Sequence, residues 1–299
     1  MIAILLNDAS FEQDIRELLM AFYPGETFTH KEEEAGEAEL IVRGVRDGNS
    51  FSLDVTPVKK EAVHFALIYP DFSNRFETKN EIKQTLYRLL SVQTGRELPW
   101  GTLTGIRPTK IALTKLYDGW TDEQIETYMR ETYFTSKEKI DLSIDVAERE
   151  RRLLSTIDYE NGYSLYVGIP FCPSICLYCS FSSYPLKQWK DRVDLYLEAL
   201  CKEIKAVSEI MRQKGKKLDT VYIGGGTPTT LEPEQLKVLF DSLMEHFDCE
   251  HLVEFTIEAG RPDSITREKL MMIRNYPVTR ISVNPQTMNQ ETLDIIGRR

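Results

Sequence analysis

Tyr166-Val-Gly-Ile-Pro-Phe-Cys172-Pro-Ser-Ile-Cys176-Leu-Tyr-Cys179-Ser-Phe181 places three cysteines inside eight residues, directly behind the apolar, strand-like run Leu165–Ile169. Three close thiolates suit iron–sulfur ligation, because such clusters are held by cysteine sulfurs; a fourth iron without a protein ligand is then free to bind something else. The other metal reading is structural zinc. That ion wants four ligands with a second Cys/His pair at matching spacing, and His246, Asp248 and His251 do not form an obvious partner to C-x3-C-x2-C.

Outward from this stretch, the chain alternates strand and helix. Four short β-rich runs, Leu165–Ile169, Thr220–Ile223, Leu252–Ile257 and Val278–Val283, are separated by amphipathic segments. In the first segment Val193, Leu197, Leu200, Ile204 and Val207 recur at helical spacing. Repeated βα units predict a parallel sheet, open or closed into a barrel. Chemistry-bearing residues follow each strand: the cysteines, then Gly224-Gly-Gly-Thr227-Pro, then Glu258-Ala-Gly260, then Asn284-Pro-Gln286. In parallel α/β folds binding residues collect at the C-terminal strand ends, so all four groups are expected at one mouth. Taken singly, a glycine run is a tight turn and a strand-end glutamate is solvated; their convergence is what carries the reading.

Upstream, residues 1 to about 97 read as a small α/β unit: a strand at Ile2–Leu6, a helix at Phe11–Phe22, a hairpin of Leu40–Val45 and Ser50–Val58, and a helix near Asn80–Gln93. Gly25–Glu39 reads as a charged, solvated loop. From about residue 98 to 162 the pattern turns helical and predicts a connector, with helices over Lys110–Tyr117, Asp122–Thr132 and Ser136–Leu153. It opens on Thr104-Gly-Ile-Arg-Pro-Thr-Lys110. Pro108 suits a first helical position, and Arg107 with Lys110 there either holds a carboxylate or phosphate or simply stands solvated. Residues 163–299 are then the partial barrel.

With 299 residues, 41% hydrophobic and 28% charged, the chain reads as an ordinary globular protein of two domains. It lacks an apolar run of membrane-spanning length and a basic region before its N-terminal apolar residues, which predicts a cytoplasmic location. A formal charge of −10 disfavours general nucleic-acid binding, which needs a basic face. Five cysteines without a secretion signal point to reduced thiols and metal or redox use. Of the remaining two, Cys201 sits in a helical pattern and is expected in the core, while Cys249 falls in no readable pattern.

The spacing C-x3-C-x2-C resembles that of the radical S-adenosylmethionine (SAM) enzymes. More closely, Tyr166-x-x-Ile-Pro-Phe-Cys, Gly-Gly-Gly-Thr-Pro, Arg280-Ile-Ser-Val-Asn-Pro-Gln286 and Gly297-Arg298 resemble the oxygen-independent coproporphyrinogen III oxidase (dehydrogenase) family over roughly Tyr163 to Arg299. The segment 1–154 is similar to the long N-terminal extension of one bacterial branch. The resemblance implies a [4Fe–4S] cluster on Cys172, Cys176 and Cys179, with Tyr178 packing on the adenine of SAM and Tyr166 contacting SAM at the cluster. It implies that Gly225, Gly226 and Thr227 meet the methionine moiety, that Glu258 and Gln286 take polar groups including the ribose, and that Arg298 completes the site. The implied reaction cleaves SAM with one electron to a 5′-deoxyadenosyl radical and converts propionates of coproporphyrinogen III to vinyl groups, as in anaerobic heme synthesis. It needs an external electron donor and acceptor. Arg261 and Arg280 are candidates for pairing with the substrate's carboxylates.

Three departures from the family's pattern stand out. Gly168 stands where a histidine is common, Phe181 where the oxidase branch has a further cysteine, and Asn284-Pro285 where a glycine and an aliphatic residue are usual. At Phe181 the chain is similar to the related heme-chaperone branch, which implies the alternative of heme and SAM binding without decarboxylation. Four βα units before Gly297-Arg-Arg, where the superfamily's core has six, predict that the sequence is a fragment of a longer protein.

Overall fold

A computed structural model describes residues 1–58 and 63–298; Arg299, the last residue of the family resemblance, lies outside the described residues. The chain divides into two compact units, Met1–Leu153 and Leu154–Arg299.

In the first unit, β1 (Ile2–Leu6), β2 (Phe28–Thr29), β3 (Leu40–Asp47), β4 (Ser50–Pro57) and β5 (His64–Ile68) form one sheet in the order β2-β1-β3-β4-β5. Alternation sets the faces: Phe51, Leu53 and Val55 of β4 are fully buried, while the residues between them are not. Those three meet α1 (Glu12–Phe22) through Ile15, Leu18, Leu19 and Phe22, and α2 (Arg75–Thr94) through Ile82, Leu86 and Leu90. The α2 helix is capped by the Asn74 side chain and stopped by Gly95 in the left-handed region, φ 66°. Three more helices, α3 (Thr109–Tyr117), α4 (Asp122–Tyr133) and α5 (Lys137–Leu154), close around Ala112, Leu116, Ile125, Met129, Ile140 and Ala147. A capping box, Thr121 with Gln124, starts α4. Arg107 and Lys110, at the start of α3, are exposed; Thr104 turns inward instead, donating to Glu17 (2.8 Å) and accepting from the buried Lys83 ammonium (2.8 Å).

Two features differ from the sequence reading. The charged stretch 25–39 contains β2 and a six-residue 3₁₀ segment, Glu32–Glu37, and β5 adds a fifth strand. As an edge strand β5 has no fully buried residue, so its hydrophobic alternation is weak.

In the second unit β6 (Gly162–Ile169) leads into the cysteine loop, which carries a two-residue parallel pairing of β7 (Phe171–Cys172) with β8 (Tyr184–Pro185). After the short α6 (Leu186–Trp189) come α7 (Val193–Gln213), β9 (Lys217–Gly225), α8 (Pro233–His246), β10 (Glu254–Ala259), α9 (Arg267–Arg274), β11 (Arg280–Val283) and α10 (Gln290–Ile295). All pairings within the sheet β11-β10-β9-β6 are parallel, the arrangement of a partial (β/α) barrel. All four predicted strands are present, with β6 and β9 extending several residues further toward the N-terminus. Val167, Ile169, Val221, Ile223, Phe255 and Ile257 bury one face of the sheet in a core shared with α7 and α8. Cys249 lies in that core, where burial pushes its thiol up to about 11. Contrary to expectation Cys201 is half-buried, because it faces the groove between α7 and α8. Among the described residues no helix is long and apolar enough to cross a membrane.

Candidate functional site

The opposite face of the parallel sheet has a different composition. Register aligns Tyr166 on β6, Tyr222 on β9, Thr256 on β10 and Arg280 on β11 as one cross-sheet row. Two residues further on, the next row is Gly168, Gly224, Glu258 and Ser282. The Tyr166 and Tyr222 rings stack with centroids 5.9 Å apart, and the Tyr222 hydroxyl donates to Glu258 Oε1 at 2.5 Å. Desolvation and this bond push the Tyr222 phenol up to about 12; desolvation and the Glu258 charge raise Tyr166 as well. Gly224 makes room for the group. A Cβ there would lie 2.7 Å from the Tyr222 ring and 3.2 Å from both the Tyr166 hydroxyl and Glu258 Oε2.

Above these rows opens a cavity of about 400 Å³, lined by Tyr166, Gly168, Phe181, Tyr222, Gly225 and Glu258 among others. Two of the three departures from the family pattern, Gly168 and Phe181, therefore belong to one wall.

The cysteine loop is tied down on three sides. At its base the glycine loop crosses under it: Gly226 N–H donates to Ile169 O and Thr227 N–H to Phe171 O, both at 2.8 Å. Gly225 takes φ +109°, and a Cβ on Gly226 would sit 2.7 Å from Phe171 O and 3.0 Å from Cys172 Sγ, so both positions require glycine. Thr227, fully buried, has its hydroxyl 3.4 Å from Cys172 Sγ. On the second side, the buried Arg261 makes a bidentate ion pair with Asp263 and donates to Ser174 Oγ (2.7 Å) and O (3.3 Å), passing 3.9 Å from Cys176 Sγ. On the third, Leu177 N–H donates to Ile296 O, Ser174 Oγ to Gly297 O, and the buried Arg298 to the Tyr178 hydroxyl (3.1 Å) and Gly260 O.

The structure thus gathers Cys172, Cys176, Cys179, Tyr178, Gly226, Thr227 and Arg298 around one loop, and Tyr166, Gly225 and Glu258 along the adjoining cavity. Gln286 stands apart from that cavity wall, exposed, at a left-handed φ of 69°. Arg261 is fully engaged by Asp263 and Ser174, so it anchors the cysteine loop and is not free to pair with a substrate carboxylate. Arg280 remains on the polar face with Glu254 at 3.3 Å. Tyr222 has no role in the sequence reading, although register places it on β9 directly opposite Tyr166.

All three cysteines are free thiols. Burial pushes the Cys172 thiol up, with the nearby Cys179 and Cys176 adding to the effect, so a positive metal centre would favour its thiolate. Among the described residues no three His, Cys, Asp or Glu side chains converge on one ion. An iron–sulfur cluster gives each of three thiolates its own iron. The donor set fits an iron–sulfur cluster.

Residues 166–299 match the Radical SAM superfamily. This segment is a radical SAM domain. Proteins of this superfamily carry a [4Fe–4S] cluster and SAM. The chain is 37% identical over 248 residues to the oxygen-independent coproporphyrinogen-III oxidase-like protein HemZ of Bacillus subtilis, covering 81% of this chain and 49% of that protein. It is 40% identical over 136 residues to the heme chaperone HemW of the same organism, covering 45% of this chain and 35% of the chaperone. With the oxygen-independent coproporphyrinogen III oxidase of Escherichia coli it shares 33% over 139 residues, 46% of this chain and 30% of that enzyme. The chain spans half or less of the length of these curated relatives. Relatives of the radical SAM domain therefore carry both oxidase and chaperone names.

Proposed function

We propose that the chain is the SAM- and cluster-binding part of a coproporphyrinogen dehydrogenase, in which Cys172, Cys176 and Cys179 hold the cluster. When bound, the cluster and SAM supply the one-electron chemistry that oxidises substrate propionates to vinyl groups. In this reading Glu258, held by the Tyr222 hydroxyl, accepts hydrogen bonds from SAM, and Tyr166 stands beside it. Gly225, Gly226 and Thr227 let backbone N–H groups approach the methionine end. Arg298 and Tyr178 would take the adenine side, and Gln286, on the loop after β11, would offer its amide to the ribose. The chain's own work is to position these groups and exclude water, and a porphyrinogen enters from the polar face of the sheet.

The observation that carries the decarboxylating assignment is the extent of similarity. The match to the oxidase-like relative runs for 248 residues, longer than the whole second unit, while the match to the chaperone spans 136. A second reading, heme delivery, is favoured by Phe181, whose exposed ring takes the place of the oxidase branch's extra thiol on the cavity wall.

The two separate in one assay. The anaerobically reconstituted full-length protein, given SAM, a reductant and coproporphyrinogen III, is expected to yield 5′-deoxyadenosine and protoporphyrinogen IX. Stable heme binding with neither product overturns the dehydrogenase reading; 5′-deoxyadenosine without porphyrin turnover redirects it to another substrate.

A further inference from the structure

The first unit contains a cavity of about 470 Å³ that no motif announces. Tyr87, Arg88 and Ser91 of α2 form one wall, and Arg130, Phe134 and Thr135, at and beyond the end of α4, form the other. Ser91 Oγ and Thr135 Oγ1 are buried there with no hydrogen-bond partner among the described residues. The usual local solution is missing: Thr94, one turn along α2, returns its hydroxyl to Leu90 O at 2.7 Å, and Ser91 makes no such bond. Buried hydroxyls left unmet are costly, and a polar group bound in the cavity these two residues line would meet them.

The rest of the lining indicates what that is. Arg88 stacks its guanidinium over the Phe134 ring, 4.9 Å from the centroid, which leaves its in-plane N–H groups for an acceptor. Arg130 is held at the rim by Glu126 at 3.2 Å. With Arg130 paired to Glu126, Arg88 is the lining guanidinium that has no ion pair among the described residues. Phe134 is also fixed in place. Its φ is +57°, a strained value for an aromatic residue, and a strap of residues 99–102 holds it there through Thr102 N–H to Tyr133 O (2.8 Å) and Ser136 N–H to Pro99 O (2.9 Å). The strap comes so close that a Cβ on Gly101 would lie 1.9 Å from Tyr133 O. A strained, immobilised aromatic wall beneath a cation is the geometry of a formed pocket, and its volume lies in the range of small-molecule sites.

We propose that this cavity binds a small organic carboxylate with a flat apolar body. The carboxylate takes the N–H groups of Arg88 and Arg130 and the hydroxyls of Ser91 and Thr135, and the body lies against Phe134 and Tyr87. All of its lining residues belong to the first unit.

Calorimetric titration of the chain with 1-naphthoate tests this, with the neutral 1-naphthylmethanol as comparison. We expect saturable one-to-one binding of the acid, with the alcohol about tenfold weaker or more. The Arg88→Gln/Arg130→Gln double variant is expected to bind the acid about tenfold more weakly as well. Thr135→Val, a near-isostere, separates a ligand contact from a packing role. It should raise the thermal midpoint of the free protein, by removing an unmet hydroxyl, while weakening naphthoate about fivefold. No saturable binding, equal affinity for acid and alcohol, or unchanged affinity in Thr135→Val overturns the proposal.

Discussion

The two faces of the four-stranded parallel sheet are made by the same strands in alternate residues, yet they obey different rules. On one face Val167, Ile169, Val221, Ile223, Phe255 and Ile257 are at most 2% exposed and packed under helices. On the other face Tyr166, Tyr222 and Arg280 are exposed and Glu258 is half-buried, with Thr256 the buried member of the row, and the two tyrosines alternate with glycines that leave room beside them. A parallel sheet covered on both sides reads as continuous apolar sequence; here β9 alternates Thr220, Tyr222 and Gly224 against Val221 and Ile223. One face secures the fold, and the other is released from packing and can carry chemistry.

The comparison is broken most completely at the cysteine loop. Cys176→Ala in the reconstituted protein is expected to abolish the brown iron–sulfur chromophore while the far-ultraviolet circular dichroism stays unchanged, since Cys176 is not in the core. A retained chromophore would show that the ligand assignment is wrong. On the packed face, Ile257→Ala removes a fully buried β10 side chain from the core that the sheet shares with the helices, and its cost is about 2–5 kcal/mol in urea unfolding. A loss below about 1 kcal/mol would mean that this face is not the one that secures the unit. On the open face Gly224→Ala is expected to cost less, about 1–3 kcal/mol, by forcing apart Tyr222, Tyr166 and Glu258. Because those groups line the proposed SAM cavity, SAM affinity by equilibrium dialysis should fall by a larger factor than in Ile257→Ala. Equal losses would place Gly224 among merely structural glycines.

Sequence reading reached the four parallel strands and the loop with distinctive chemistry. The β-rich runs, the glycine run and the cysteine spacing are local signals, each contained within about ten residues. The anchors of the cysteine loop were beyond it, since Arg261 meets Ser174 across 87 positions and Arg298 meets Tyr178 across 120. Arg261 even read as a substrate-facing base, because nothing in Arg261-Pro-Asp263 shows that Asp263 closes back on it or that the pair is buried. Likewise β5 escaped because an edge strand needs no buried row, and the unmet hydroxyls of Ser91 and Thr135 exist only where α2 and the end of α4 meet. Tyr222 is the instructive omission: Tyr166 belongs to the motif that carries the family resemblance, whereas the role of Tyr222 rests on the register that sets it opposite Tyr166 and on its bond to Glu258 across 36 positions.

The smallest expected effect tests that pair directly. Desolvation and the bond to Glu258 push the Tyr222 phenol up to about 12, above the value near 10 of an unfolded tyrosine. Between those values the folded state holds a proton that the unfolded state has released, so stability from this group is complete below about pH 10 and is lost as the pH rises toward 12. The ring is more than a third exposed, so solvent screens the effect and the change is small. Urea midpoints of the wild type and Tyr222→Phe, compared at pH 8 and again near pH 11, should therefore differ most at the lower pH and converge at the higher one. Glu258→Gln should lessen that convergence by removing the charge that Tyr222 faces, while the part due to desolvation stays. A difference between wild type and Tyr222→Phe that does not change with pH would mean that the phenol contributes only as an apolar ring stacked on Tyr166, and the polar face would then lose its one internal hydrogen bond between a tyrosine and the strand-end carboxylate as a positioning device.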